Sequence, residues 1–250
     1  MKLFYYTATG NSLSIAKSFK GNLISMPIHL NDKDHYEDDV IGFVFPCYTG
    51  GIPTIVEDFI SSNTFKANYI FAIVTYGMTA VGAEGLFLDL AREKNLNIDY
   101  INKIRMVDTS LKYYDMNKQI RGLERKQVNK YLASIKEDVA SRKKRSSRNP
   151  IMLALSKRGY KSYKDEIGLC DQAFTVEDHC TKCQVCMKVC PVNNITVGDG
   201  VFFKGECIRC YACTQNCPQN AIRVDNEKSK RRYRNSDVKL IDIINANHVG

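Results

Sequence analysis

From the amino terminus to about residue 110, short apolar runs rich in β-branched and aromatic residues alternate with amphipathic stretches of helical length. The runs Lys2–Tyr6, Ser25–His29, Val40–Phe45, Tyr69–Thr75 and Ile98–Val107 predict five strands. The intervening periodicity predicts helices over Ser12–Lys20, Pro53–Ser61 and Ala80–Asn95, with a longer one, Met116–Lys144, after the fifth strand. Strands that alternate with helices in this way call for a parallel sheet, so the fold class is α/β.

The pattern then changes. Ser141–Lys164 combines a basic run with serines, Pro150 and Gly159, and reads as an exposed helix end followed by a connector. From about Phe174 cysteines recur at short spacing and regular structure becomes scarce. Cys180–Pro191 and Cys207–Pro218 repeat with an offset of 27 residues, and each copy is followed by a similar segment, Asn194–Val197 and Asn220–Val224. Duplication of one small metal-binding unit explains the repeat. The expected organisation is an α/β domain over 1–145, a basic linker over 146–172, a metal-binding domain over 173–226 and a tail over 227–250.

The chain has 250 residues, 44% hydrophobic and 25% charged, the balance of a chain that folds. It contains no apolar run of membrane-spanning length and its first residues lack an export signal, so the expected compartment is the cytoplasm, with no membrane partner. The ten cysteines therefore point to thiolate ligation more than to disulfides.

The two runs are Cys180-x2-Cys183-x2-Cys186-x3-Cys190-Pro191 and Cys207-x2-Cys210-x2-Cys213-x3-Cys217-Pro218. Both match the bacterial 4Fe-4S run, in which three closely spaced thiolates wrap one cubane and the fourth, before proline, serves the other. The expected ligand sets are Cys180, Cys183, Cys186 and Cys217 for one cluster, and Cys207, Cys210, Cys213 and Cys190 for the second. Two structural zinc sites are the alternative, but zinc leaves no use for a third cysteine at the same spacing followed by Cys-Pro in both copies. Cys47 and Cys170 lie outside the runs.

The formal net charge is +9. Two oxidised clusters with their thiolates, at about −2 each, and a bound cofactor phosphate at about −2 would leave roughly +3.

Three loops fall at carboxyl ends of predicted strands, where ligands sit in open α/β sheets. Thr7-Ala8-Thr9-Gly10-Asn11-Ser12 offers hydroxyls, a glycine and helix-start amides suited to a phosphate. Pro46-Cys47-Tyr48-Thr49-Gly50-Gly51 and Thr75-Tyr76-Gly77-Met78 each set an aromatic ring beside glycine. Tyr48 could stack on a flat ring system, with glycines letting the backbone reach its edge. The plain alternative is an N-capped turn and surface tyrosines.

Together these loops resemble the flavodoxin family over about residues 1–140, with Ser12 standing where the familiar loop has Thr. The resemblance implies a doubly wound five-stranded sheet in the order 2-1-3-4-5, and FMN bound by Thr7, Thr9, Gly10, Asn11, Ser12, Pro46, Tyr48, Thr49, Gly50, Thr75, Tyr76 and Gly77. A flavodoxin-like domain followed by a two-cluster, α+β bacterial ferredoxin-like domain is similar to the fused flavodoxin-ferredoxin proteins of anaerobic bacteria and archaea. Phe174–Asp178, Asn193–Ile195 and the tail from Tyr233 to Ile244 add to that likeness.

The resemblance implies an electron carrier that relays electrons between FMN, two 4Fe-4S clusters and a redox partner protein, with no catalytic residues of its own. The rival is a flavin-dependent reductase of a small electrophilic substrate fed by the clusters, for which the chain offers no evident acid-base pair. The basic runs Arg142–Arg145 and Lys228–Arg232 read as solvated faces or a docking patch for an acidic partner rather than as a nucleic-acid surface.

Overall fold

The computed structural model describes residues 1–146 and 148–248. Strands β1 (Lys2–Tyr5), β2 (Asn22–Ser25), β3 (His35–Pro46), β4 (Thr64–Tyr76) and β5 (Tyr100–Arg105) form one all-parallel sheet in the order β2-β1-β3-β4-β5. Helices α1 (Asn11–Lys17), α2 (Thr54–Ser62) and α3 (Ala83–Glu93) make the crossovers. The core is aromatic: Phe4, Phe43, Phe45, Phe59, Phe71 and Phe87 are fully buried. Phe4 lies 5.5 Å from Phe43 and 5.2 Å from Phe59, so the sheet and α2 close over one continuous cluster. Because winding reverses between β1 and β3, the loops after these two strands diverge and open a crevice at the carboxyl edge.

Three expected elements differ. The second strand ends at Ser25 instead of running from it: Met26 still donates to the Tyr5 carbonyl, but Pro27 has no N–H for the ladder and a turn follows. The long helix expected over 116–144 is broken into α4 (Met116–Arg121), a 3-10 turn (Glu124–Lys126) and α5 (Val128–Ala140). Gly122 ends α4, and Gln127 at φ +50° resets the backbone so that Lys126 can turn inward, where its ammonium donates to the Met106 carbonyl and to Gln119 Oε1 at 3.0 Å.

The third difference lies in the expected connector. Residues Pro150–Glu166 form α6, with Pro150 at its first position and Asn149 as N-cap, accepting from the Met152 amide at 3.1 Å. Ile151, Met152 and Leu155 are exposed on its first turns and charged residues are exposed from Lys157 onward, but Ser156 and Tyr163 are buried at 1% exposure and anchor the helix.

The cysteine-rich region is two copies interlocked. It contains β6 (Phe174–Val176), α7 (Val185–Lys188), β7 (Ile195–Val197), β8 (Val201–Phe203), α8 (Ala212–Gln215) and β9 (Ile222–Val224). The strand before the first copy pairs antiparallel with the strand after the second, β6 with β9, while β7 and β8 pair in the middle. Val189, Ile208, Cys210 and Ala212 are buried in the same hydrophobic cluster as the sheet.

The tail returns to the sheet as α9 (Leu240–Asn247). Asn247, fully buried, donates to the carbonyls of Thr7 and Val189 at 3.0 and 3.3 Å, tying the first loop to the first cysteine copy. Among the described residues no helix is long and apolar enough to cross a membrane.

Candidate functional site

A cavity of about 420 Å³ opens at the carboxyl edge of the sheet, within the range of small-molecule and cofactor sites. Thr7, Thr9, Asn11, Ser12, Pro46, Tyr48, Thr49, Gly50, Thr75, Tyr76 and Gly77 line it. Three sequence-distant loops thus meet in one place because parallel strands deliver their carboxyl ends to the same edge.

Gly10 is the exception. It turns away at φ +93°, a conformation that glycine adopts without strain, and a Cβ there would meet Asn235 and Val238 of the tail at 3.0 Å. Its place is to let the tail close on the loop.

Several polar groups of the first loop are engaged by the protein itself. Thr7 Oγ1 accepts from the Gly10 amide at 3.1 Å, and the Ser12 and Thr75 hydroxyls bond each other at 2.8 Å. Asn11 donates to the Val107 carbonyl at 3.0 Å while its Oδ1 accepts from the Tyr233 hydroxyl at 2.9 Å. The carbonyls of Thr7, Ala8 and Thr9 all accept from the carboxyl-terminal half, from Asn247 and Asn216 side chains and the Asn235 amide. A peptide N–H points opposite to the carbonyl of its own unit, so the Ala8 and Thr9 amides face the other way. Among the described residues neither has a protein acceptor, which suits an anion.

The structure adds lining residues that sequence reasoning missed. Val107, Asp108, Thr109, Ser110, Tyr113 and Tyr114 follow β5, and their position after a fifth strand was the available signal. Asp108 is the one carboxylate among the described lining residues; burial raises its pKa, and its two oxygens accept from the amides of Met78 and Ser110, both at 3.1 Å. Tyr163 comes from α6, and Arg209, Cys210 and Tyr211 from the second cysteine copy; no local pattern marks these four as neighbours of the loops.

α6 also holds the second and third loops together. The Ser156 hydroxyl accepts from the Gly82 amide at 2.6 Å and donates to the Gly50 carbonyl at 2.7 Å. Tyr160 lies so close to Gly51 that a Cβ there would come within 2.4 Å of its ring, and its hydroxyl donates to Glu57 at 2.6 Å.

Two smaller cavities lie in the cysteine-rich region. Cys180, Cys183, Cys186 and Cys217 line one; Cys190, Cys207, Cys210 and Cys213 line the other. Each takes three cysteines from one run and the fourth from the other. The backbone around them is strained in register: Lys182, Gln184 and Asn193 have positive φ, and so do Arg209, Tyr211 and Asn220, each 27 residues later. Non-glycine residues in this region cost on the order of 1 kcal/mol each, and turning the chain around a cluster explains the cost.

Amides already point at sulfur, from Asn194 to Cys190 at 3.3 Å, from Ala221 to Cys217 at 3.4 Å and from Arg209 to Cys207 at 3.3 Å. Burial pushes the Cys186 thiol up to about 11 and Cys210 up to about 12, so ligation has to displace protons that water would not remove.

Residues 173–196 and 201–223 match the family model of the 4Fe-4S binding domain. The cysteine-rich region is therefore an iron-sulfur unit of the 4Fe-4S type, and it carries iron-sulfur electron transfer. No curated protein and no solved structure matches the chain.

The four-cysteine cavities and the inward amides fit clusters; the 420 Å³ cavity, with its two available amides and the Tyr48 ring on its wall, fits a flat, phosphate-bearing cofactor. Cys210 and Tyr211 border both that cavity and the second cysteine cavity.

Proposed function

We propose that this chain is an iron-sulfur flavoprotein electron carrier, with FMN in the large cavity and one 4Fe-4S cluster in each cysteine cavity. The observation that carries the reading is Cys210, one side chain that forms a wall of the flavin cavity and of a cluster cavity at once. When bound, the flavin exchanges electrons singly or in pairs and each cluster exchanges one, so the three together connect one- and two-electron chemistry.

The protein's part is positioning. Cys207, Cys210, Cys213 and Cys190 hold the cluster beside the flavin, and the buried state of the last three excludes water from that junction. Cys180, Cys183, Cys186 and Cys217 hold the outer cluster, where Cys183 is exposed, and this end is the face for a redox partner protein. Beside it the tail's Lys228, Lys230 and Arg231 are exposed and bear no carboxylate partner among the described residues, which suits an acidic partner.

On the other side, Tyr48 and Tyr76 flank the flavin ring, and the Ala8 and Thr9 amides receive its phosphate. The Asp108 carboxylate, held by two amides, fastens the third loop and leaves no free acid-base pair among the described lining residues, which favours a carrier over a reductase with its own substrate.

The test is anaerobic purification with iron, acid-labile sulfide and released flavin measured on one sample. About eight irons, eight sulfides and one FMN per chain are expected. Eight irons with no flavin after reconstitution would overturn the flavin half of the proposal, and about four irons would overturn the two-cluster half.

A further inference from the structure

The two amides that suit an anion sit in a loop whose own side chains do not aim them. Ala8 and Thr9 line the large cavity, and their N–H groups point opposite to the carbonyls of the same peptide units, those of Thr7 and Ala8. Asn247 Nδ2 donates to the Thr7 carbonyl and Asn216 Nδ2 to the Ala8 carbonyl, both at 3.0 Å. The Thr9 carbonyl accepts from the Asn235 amide at 2.9 Å, but the amide of that peptide unit, on Gly10, is already taken by Thr7 Oγ1. One asparagine side chain thus orients each available amide.

Both donors are shared with the cysteine runs. Asn247 Nδ2 also donates to the Val189 carbonyl at 3.3 Å, and Asn216 Nδ2 to the Ala212 carbonyl at 2.9 Å. Val189 and Asn216 occupy the same place in the two copies, each directly before the last cysteine of its run. The duplicated unit therefore presents one repeat position to two successive peptide units of the loop, once through a carbonyl that holds Asn247 and once through a side chain.

Packing explains neither asparagine. Asn216 and Asn247 are 3% and 0% exposed, and the Oδ1 of each is buried with no partner among the described residues. A stranded acceptor is destabilising, and leucine would fill a similar space without one. Reversing either amide would set its oxygen against two carbonyls, so the orientation follows from chemistry. What each position keeps is a two-pronged donor between the loop and a cysteine run.

We propose, on the reading of the large cavity as a flavin site, that Asn216 and Asn247 are positioning residues that fix the Ala8 and Thr9 amides for the flavin's phosphate and so make the site select a phosphate-bearing ligand. Two successive amides held in one direction form a concavity for an anion. Without its asparagine a peptide plane is free to rotate, and the phosphate loses that donor. The ring, flanked by Tyr48 and Tyr76 on other loops, does not depend on these planes. The cysteine-rich region and the tail therefore determine what the first loop recognises.

The experiment titrates FMN and riboflavin, the same ring system without phosphate, anaerobically into full-length, cluster-loaded protein freed of flavin. Asn216→Leu and Asn247→Leu should each weaken FMN about tenfold, the worth of a hydrogen bond to a charged group, and leave riboflavin within about threefold of wild type, with about eight irons retained. FMN affinity within about threefold of wild type in Asn247→Leu would overturn the proposal. So would equal losses for FMN and riboflavin, which would make the asparagines supports of the fold alone. Asn247 is remote in sequence from every cysteine, so its variant decides the matter even if Asn216→Leu disturbs a cluster.

Inorganic phosphate, followed by phosphorus NMR, separates this proposal from the flavin itself. Wild type that binds phosphate and neither flavin, with both variants losing the phosphate, would strike the flavin reading alone. Phosphate binding as strong in Asn247→Leu as in wild type would overturn the role of the asparagine, and a wild type that binds neither phosphate nor FMN would overturn both.

Discussion

Replacing Ser156 by alanine removes one oxygen atom and almost no packing, yet that oxygen is the clasp between two loops of the cavity. It accepts from the Gly82 amide at 2.6 Å and donates to the Gly50 carbonyl at 2.7 Å, and all of these groups are buried. Two intramolecular hydrogen bonds contribute about 1 kcal/mol each, and stranding a buried N–H adds to that, so the local cost is about 2–4 kcal/mol.

At 1.36 kcal/mol per factor of ten, this corresponds to roughly 30-fold to 1,000-fold faster opening of these segments. Hydrogen exchange followed by mass spectrometry reads it directly: peptides covering 48–53 and 79–86 should lose protection by that factor, while those from β3 and β4 keep theirs. Affinity for the proposed flavin should fall in parallel, because Thr49, Gly50, Thr79 and Val81 line the cavity on these same loops. Exchange within threefold of wild type in both segments would refute the reasoning and reduce α6 to a spacer.

Cys217→Ser tests the crossing of the runs: it should spoil the cluster held by Cys180, Cys183 and Cys186 and leave the spectrum of the one held by Cys207, Cys210 and Cys213, whereas uncrossed ligation would give the reverse. Lys126 gives a pH signature. Burial lowers its pKa to about 8 in the folded chain, below the ordinary value near 10.4, so between these values the unfolded state binds more protons and stability rises with pH. The thermal midpoint of wild type minus that of Lys126→Met should therefore increase from pH 8 to pH 10, and a flat difference would sink the assignment.

Much of this protein was legible in its chain. Parallel strands were visible as apolar runs between helical stretches, because covalent geometry fixes those periods locally. The cysteine runs were more informative still, since spacer lengths of two and three residues constrain which sulfurs can meet around one cubane, and the cavities group the same cysteines. Loop residues such as Tyr48 and Gly77 could be placed at the cavity because any loop after a parallel strand reaches the same sheet edge.

What the chain could not show depends on contacts between residues far apart in sequence. Ser141–Lys164 reads as a helix end and connector because a basic run, serines, Pro150 and Gly159 follow one another there; Pro150–Glu166 is a helix because Ser156 and Tyr163 find buried partners at Gly50, Gly82 and the Ile208 carbonyl. The break at Gly122 depends on a buried place for the Lys126 ammonium, which only β5 and α4 together create. Asn216, Asn235 and Asn247 look like ordinary polar residues until the tail folds back and places them on three consecutive carbonyls of the first loop.

Above all, nothing local places Tyr48 and Cys210, 162 positions apart, on the wall of one cavity. Sequence spacing determines which cysteines can share a cluster, because that is short-range geometry. Tertiary packing decides which of the two cysteine groups faces the cavity, because burial and hydrogen-bond satisfaction are settled only when the whole surface closes.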